Sequence, residues 1–351
     1  MNKKLDEASI LSEGLSSAEF TGYLDTGSYT LNAALSGSIY GGMPDNKVLC
    51  VAGASTTGKS YFSLAIVKNF LGSNPEGGLV LFDTEAAHNT NLYRDDIGID
   101  PSLVLNYEPE TVQDFSFQAM KFLVEYEKDQ TKPKVMFLLD SLGRLTTSKS
   151  LNDMVAGKDV LDMTRAKTIH TAFRGLRLKL AKNKIPMIVT NHVYADVNAR
   201  FPSNKVAGGG GVIYSSDMII LLSKEKVQEE IEGEKRVLGN IIHVKVSKSR
   251  HSRENMEVET MINYSTGMNR YWGLLDMAEK AGVLEKGPKQ WVMPDGTKVY
   301  EKTINNDPEK YFTKDILDRI ETYVNAEYRY GLPSVEEAIE EVKKEAADFE
   351  N

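Results

Sequence analysis

The octapeptide Gly53-Ala-Ser-Thr-Thr-Gly58-Lys59-Ser60 carries the spacing G-x-x-x-x-G-K-[ST], and few folds accommodate it. A short apolar run, Val48–Ala52, leads into it, and an apolar segment, Phe62–Leu71, follows. That succession reads as a buried strand, a tight glycine turn and a helix. In such a turn successive backbone N–H groups close around phosphate oxygens, and the helix turns its positive end toward them. The expected nucleotide contacts are Gly53, Ala54, Ser55, Thr56, Thr57, Gly58, Lys59, Ser60 and Tyr61. Lys59 would reach the β- and γ-phosphates of ATP, and the Ser60 hydroxyl would ligate Mg²⁺.

Further short apolar runs recur at wide intervals: Leu79–Phe82, Val135–Leu139, Ile185–Val189 and Met218–Leu222. Each is bounded by Gly, Pro, Asp or Asn, the mark of strands buried on both faces. Between them Val112, Phe115, Ala119, Leu123 and Tyr126 keep a helical spacing that stops before Lys132-Pro133. Strands alternating with helices predict an α/β fold with a mostly parallel sheet. Later the rhythm changes. Glu232-Gly233-Glu234 reads as a turn, and Ile241–Val246 and Val258–Ile262 read as an antiparallel edge of the same sheet. Past Tyr271 a small α+β unit is expected, with helices near Leu274–Lys280 and Lys314–Tyr328 and a hairpin turned at Pro294-Asp295-Gly296.

A second acid is needed to hold the metal, at the end of another buried strand. Val135–Leu139 runs straight into Asp140, which takes that role beside Ser60. Hydrolysis also needs a group that orients the attacking water. Asp83 and Glu85 both follow Leu79–Phe82, and spacing alone does not choose between them.

The chain of 351 residues has a formal net charge of −8, which excludes a globally basic nucleic-acid binder. The charge is unevenly spread. Between Asp162 and Asp196 there is no acid, while Arg165, Lys167, Arg174, Arg177, Lys179, Lys182 and Lys184 sum to +7. Two loop-like segments flank that interval, Ser148–Leu161 and Val193–Gly211; the second holds Arg200, Phe201 and Lys205 and closes on four glycines. Both leave the phosphate end of the sheet, where ATP is placed to govern their order. His192 stands at the root of the second loop, beside the expected γ-phosphate. The single cysteine, Cys50, excludes an internal disulfide and points to a reducing compartment. No apolar run approaches the ~18–20 residues that span a bilayer, and the N-terminus lacks the apolar stretch of a signal peptide, so no membrane partner is expected.

Taken in order, these residues resemble the RecA-type strand-exchange recombinases, including those of T-even-like bacteriophages. The likeness covers roughly residues 20–285. It rests on the octapeptide, Phe82-Asp83-Thr84-Glu85, Leu139-Asp140-Ser141, Asp162-Met-Thr-Arg-Ala-Lys167, Asn191-His192, Gly209 through Asp217, Ser247-Lys-Ser-Arg250 and Gly273 through Ala278. The resemblance implies a RecA-like P-loop ATPase core and an ATP-dependent filament on single-stranded DNA. That filament would pair its strand with homologous double-stranded DNA and work with single-strand-binding and mediator proteins in the cytoplasm of a phage-infected cell. It also implies Glu85 as the water-orienting residue, Tyr93 as the residue packing on adenine, and Lys248 and Arg250 as cations reaching the γ-phosphate of the neighbouring subunit. His192 stands where bacterial members carry Gln. The two loops match the DNA-binding loops, which assigns DNA contacts to Arg200, Phe201, Lys205, Gly208 and Gly209 of the second; Arg165, Lys167 and Arg174 of the basic interval between the loops are expected to join them.

The expected organisation is an N-terminal segment (1–46) that contacts another subunit, an ATPase and DNA-binding core (47–270), a small C-terminal domain (271–333) and an acidic tail (334–351). The alternative on the same core is a hexameric helicase or DNA-repair ATPase. A kinase-like or clock-type P-loop protein would not need the acid-free interval, and a nucleotide-gated structural polymer would not need Glu85.

Overall fold

Residues 19–158, 162–195, 204–206, 210–231 and 234–331 are described by a computed structural model. Strand β1 (Tyr23–Leu24) pairs antiparallel with β2 (Met43–Pro44), and helix α1 (Tyr29–Ser36) lies between them. Ser28 caps α1 by accepting from the Leu31 N–H, and Gly37 ends it at φ 71°, a conformation that favours glycine. All of α1 is buried, and Thr30 Oγ1 donates to the Glu259 carbonyl at 2.7 Å. The small residues of this segment therefore form a core helix.

The octapeptide joins β3 (Val48–Gly53) to α2 (Lys59–Ser73), as the flanking apolar runs predict. There follow β4 (Gly78–Asp83), β5 (Val104–Tyr107), α3 (Val112–Lys128) and β6 (Val135–Asp140). In α3, Thr111 and Asp114 cap each other's backbone N–H, and the five residues of the expected apolar stripe are buried. Strand β5 has no continuous apolar run, because it is the sheet's outer strand with Leu105 and Asn106 exposed.

Next come α4 (Ser148–Val155), α5 (Arg165–Lys182), β7 (Met187–Ala195), β8 (Asn204–Val206) and α6 (Gly210–Ser215). Two expectations change here. The segment Ser148–Leu161 is not all loop: Thr147 caps α4, and none of its residues is buried. The strand expected at Ile185–Val189 starts at Met187 and runs past His192, because its polar end still pairs with β3 and then with β8. Residues 196–203 and 207–209, with Arg200, Phe201, Gly208 and Gly209, lie outside the described residues. So do 1–18, 159–161, 232–233 of the expected turn, and 332–351 with the expected acidic tail.

The long strands β9 (Met218–Ile231) and β10 (Glu234–Lys248) form the antiparallel arm expected around residue 233, continued by β11 (Glu257–Asn263) and β12 (Gly267–Asn269). The C-terminal unit holds α7 (Leu274–Lys280), β13 (Glu285–Lys286), β14 (Trp291–Val292), β15 (Lys298–Val299), α8 (Glu301–Asn306), α9 (Pro308–Tyr311) and α10 (Lys314–Tyr328).

The main sheet runs β12-β11-β10-β9-β3-β7-β6-β4-β5, with β8 beside β7. From β9 to β5 neighbours are parallel, and from β9 outward they are antiparallel. Strand alternation splits the core: Leu49 and Val51 pack with α1, α2, α7 and α10, while Val48, Cys50 and Ala52 pack with α3 and α5. The C-terminal unit shares the first of these clusters, through Trp291, Phe312, Ile320 and Val324. Among the described residues no helix is long and apolar enough to cross a membrane.

Candidate nucleotide site and nucleic-acid face

The octapeptide leaves β3 at the carboxyl edge of the parallel strands, where open α/β sheets collect ligands. Thr56 (φ 65°) and Gly58 (φ 91°) both take left-handed conformations, turning the loop so that α2 starts at Lys59. Thr57 Oγ1 donates to the Ala54 carbonyl at 2.6 Å. A Cβ on Gly53 would stand 3.0 Å from the Leu222 carbonyl oxygen, so the first position is kept small by β9. Lys59 is 7% exposed, and its Nζ donates to the carbonyls of Gly53 (3.1 Å) and Ala54 (2.9 Å). Burial lowers its pKa, and the carboxylates of Asp140 and Glu85 oppose that shift. The loop thus curls around the Lys59 ammonium group. A cavity of about 430 Å³ adjoins it, lined by Gly53–Thr57 and Leu221–Lys224.

Asp140 ends β6 and is buried. Burial alone would raise its carboxyl, but hydrogen bonds from His88, Ser60 and Thr190 hold it below the ordinary value. Ser60 and Asp140 therefore stand within hydrogen-bond reach of each other, a carboxylate beside a hydroxyl. Asp83, opposite Asp140 in the sheet, is occupied locally: its Oδ1 accepts the Glu85 N–H (2.9 Å) and its Oδ2 the His88 N–H (3.0 Å). Glu85 faces the site. Its Oε1 accepts from Ser141 Oγ (2.8 Å) and Arg144 Nε (3.3 Å) and lies 3.8 Å from His192 Nε2. His192 pairs with Gly53 in the sheet, so β7 carries the residue between the phosphate loop and the β7–β8 stem. Gly143 leaves room for it, since a Cβ there would stand 2.8 Å from His192 Cδ2.

His88 belongs to this site, although the residue pattern gives no hint of it. Its side chain is 2% exposed, with Nε2 at 3.0 Å from Asp140 Oδ2 and Nδ1 at 3.0 Å from the Tyr93 hydroxyl. In the tautomer that satisfies both, Nε2–H donates to Asp140 and Tyr93 donates to Nδ1. Tyr93 is itself only 3% exposed, so it presents no open ring face to adenine here and instead anchors His88. Exposed rings do flank a cavity of about 550 Å³ along α2: Tyr61 and Tyr264, with Lys68 and Asp96.

Lys248 and Arg250 stand elsewhere. Lys248 Nζ donates to the Ser216 carbonyl at 2.7 Å, and Arg250 Nη1 lies 3.5 Å from Asp217 Oδ1. Asp217 precedes β9 and is bonded to Val48, the first residue of β3. At about 3.3 Å per residue, β3 puts about 17 Å between that edge and the octapeptide. Within one chain the two cations and the octapeptide occupy opposite ends of the sheet's strands.

The basic interval folds into α5 and is less free than its sequence suggests. Arg165 donates to the carbonyls of Leu145 (2.9 Å), Leu142 (3.0 Å) and Gly143 (3.2 Å), bracing the turn after β6 rather than pointing outward. Arg177 pairs with Asp217, and Lys179 with Glu127 at 2.7 Å. Lys167 and Arg174 are exposed on α5. Lys205 lies in β8 opposite Tyr194. Met154, Val155 and Met163 leave apolar surface open around α4.

The family model described as "RecA N-terminal domain" matches residues 1–269. The chain is similar to the "Recombination and repair protein" of Enterobacteria phage T4, 31% identical over 263 residues, 74% of this chain and 64% of that protein. It therefore spans under two thirds of that relative's length. It is also similar to "Protein RecA" of Agrobacterium fabrum and of Rhizobium etli, each 26% identical over 75% of this chain and 68% of the relative.

Proposed function

The chain belongs to the RecA family, and from that premise we propose that it is an ATP-dependent homologous recombination protein, active as a head-to-tail filament on single-stranded DNA. In this reading it pairs the bound strand with homologous double-stranded DNA, catalyses strand exchange, and hydrolyses ATP in response to DNA. The observation that carries the proposal is the separation of Lys248 and Arg250 from the octapeptide of their own chain. Cations at one edge and a phosphate loop at the other suit a heterologous contact, in which each subunit completes the site of the next.

Gly53–Tyr61 would hold the triphosphate, with Lys59 at its β- and γ-phosphates, and Ser60 and Asp140 would hold Mg²⁺, which supplies charge neutralisation at the transferring group. Glu85 would orient the attacking water, since Asp83 is committed to the turn. His192, between Glu85 and the β7–β8 stem, would pass the state of the γ-phosphate to the second DNA loop. The exposed Lys167 and Arg174 support a DNA-facing role for α5. Tyr61 and Tyr264 are the ring faces open to a base. Single-strand-binding and mediator proteins and a phage-infected host complete the reading.

Electron microscopy on long single-stranded DNA with ATP tests it, run beside hydrolysis assays with and without DNA. Helical filaments and DNA-stimulated turnover are expected, both lost in Lys59→Ala. Closed rings would favour the helicase alternative, and turnover indifferent to DNA would overturn the proposal.

A further inference from the structure

The far edge of the sheet converges on Asp217. Its side chain is 2% exposed; Oδ2 accepts the Val48 N–H at 3.1 Å, and its own N–H donates to the Val48 carbonyl at 2.9 Å. Oδ1 receives Arg177 in a close ion pair, and Arg250 Nη1 lies 3.5 Å from the same oxygen. One residue earlier, the Ser216 carbonyl accepts from Lys248 Nζ at 2.7 Å. Two consecutive residues thus anchor three cations, and Lys47 and Arg174 line the adjoining cavity of about 330 Å³. Like charges at such spacing repel. Burial lowers the pKa of Lys47 and Lys248, Arg250 pushes both the same way, and Asp217 opposes the shift at both.

The two arginines are not held alike. Arg177 takes the close contact through Nη2. Arg250 sits within ion-pair range but beyond a good hydrogen bond, so its N–H donors stay available to another acceptor. Arg250 is 48% exposed while the carboxylate beneath it is buried. A buried acid that steers an exposed guanidinium without consuming it is a way to aim a charge outward.

We propose that Asp217 is a positioning residue for phosphoryl transfer in the adjacent subunit. Its carboxylate, fixed to the start of β3, holds Arg250 at the edge presented to the neighbour's triphosphate, and its neighbour Ser216 holds Lys248 beside it. This rests on the reading that Lys248 and Arg250 act on the next subunit.

The test mixes two inactive proteins on single-stranded DNA with ATP, filaments being verified by microscopy. Lys59→Ala keeps the far edge; Lys248→Ala/Arg250→Ala keeps the octapeptide. Their mixed junctions should hydrolyse ATP. Asp217→Asn is then placed on one chain or the other. On the Lys59→Ala chain it should lower mixed turnover by roughly tenfold or more, short of the ~10²–10³-fold that removing a donor outright costs. Asp217→Glu, which keeps the charge, should recover part of that loss. On the Lys248→Ala/Arg250→Ala chain there is no pair left to aim, so turnover should stay within about twofold; this arm also shows that the substituted chain folds. Equal losses in both arms would make Asp217 a structural support of β3 and overturn the proposal, as would no loss in either. A dead mixture before Asp217 is touched would instead remove the trans reading itself.

Discussion

At the scale of single residues, the site separates two carboxylates that spacing leaves equivalent. Asp83 is tied to the N–H groups of Glu85 and His88, and Glu85 alone lies within reach of His192. Glu85→Gln keeps the shape and loses the base, so ATP binding should persist while hydrolysis falls by about 10²–10⁴-fold. Asp83→Asn should instead loosen the turn. A normal rate in Glu85→Gln, measured on DNA at saturating ATP, would return the role to Asp83. His88 makes a second prediction. It holds the Asp140 carboxylate; with Asp140 as the proposed Mg²⁺ ligand, His88 is its outer partner, and losing such a partner costs about 10–100-fold in metal affinity. His88→Ala should raise the Mg²⁺ concentration needed for tight ATP binding by that order; an unchanged requirement would leave His88 with packing alone. The octapeptide and Asp140 are legible in the chain because each sits within a few residues of its own strand. His88 is not, since its partners come from a different strand and from five residues downstream.

At the scale of elements, the helices that were legible are those whose apolar spacing is unbroken. Helix α3 shows its stripe in sequence, and α10 matches the expected Lys314–Tyr328. Helix α4 was hidden because it is only two turns long: its apolar residues, Leu151, Met154 and Val155, keep a helical spacing for a single turn, too short to set a period, and none of them is buried. Helix α1 was hidden for the opposite reason: it is buried all round, so it has no polar face to mark a period. The seam between α1 and α10 carries a titratable contact. Glu321 Oε2 accepts the Ile39 N–H at 2.7 Å, and Asn325 donates to Oε1 at 2.9 Å. Burial nonetheless raises its pKa, against those hydrogen bonds. A carboxyl whose folded pKa exceeds its unfolded value, about 4.3, stabilises the fold at low pH and loses that contribution as pH rises through the folded value. Glu321→Gln keeps an acceptor and cannot ionise. Its stability relative to the parent, from urea unfolding, should therefore improve between pH 4 and pH 7. A difference independent of pH would show that Glu321 ionises as readily in the fold as out of it.

At the scale of the molecule, what the chain could not announce is which edge of the sheet each residue occupies. Lys248 and Arg250 follow a strand, and so does the octapeptide, and only the antiparallel pairing of β10 with β9 sends them to opposite ends. Opposite ends have a consequence that needs no further structure. If each hydrolytic site forms at a junction, a run of n subunits holds n − 1 complete sites, because the terminal octapeptide meets no neighbour. Turnover per bound subunit should then climb with DNA length, from roughly half its limit for two subunits to about nine-tenths for ten. The increase should follow the number of junctions, not the affinity for DNA, and so persist when every oligonucleotide is saturated. Sites that were complete within one chain would give the same turnover per bound subunit at every length. Closed rings offer a third pattern: a ring has no terminal octapeptide, so turnover would jump to its limit at one subunit number and stay there. Hydrolysis measured on a ladder of oligonucleotides, normalised to bound protein, separates the three.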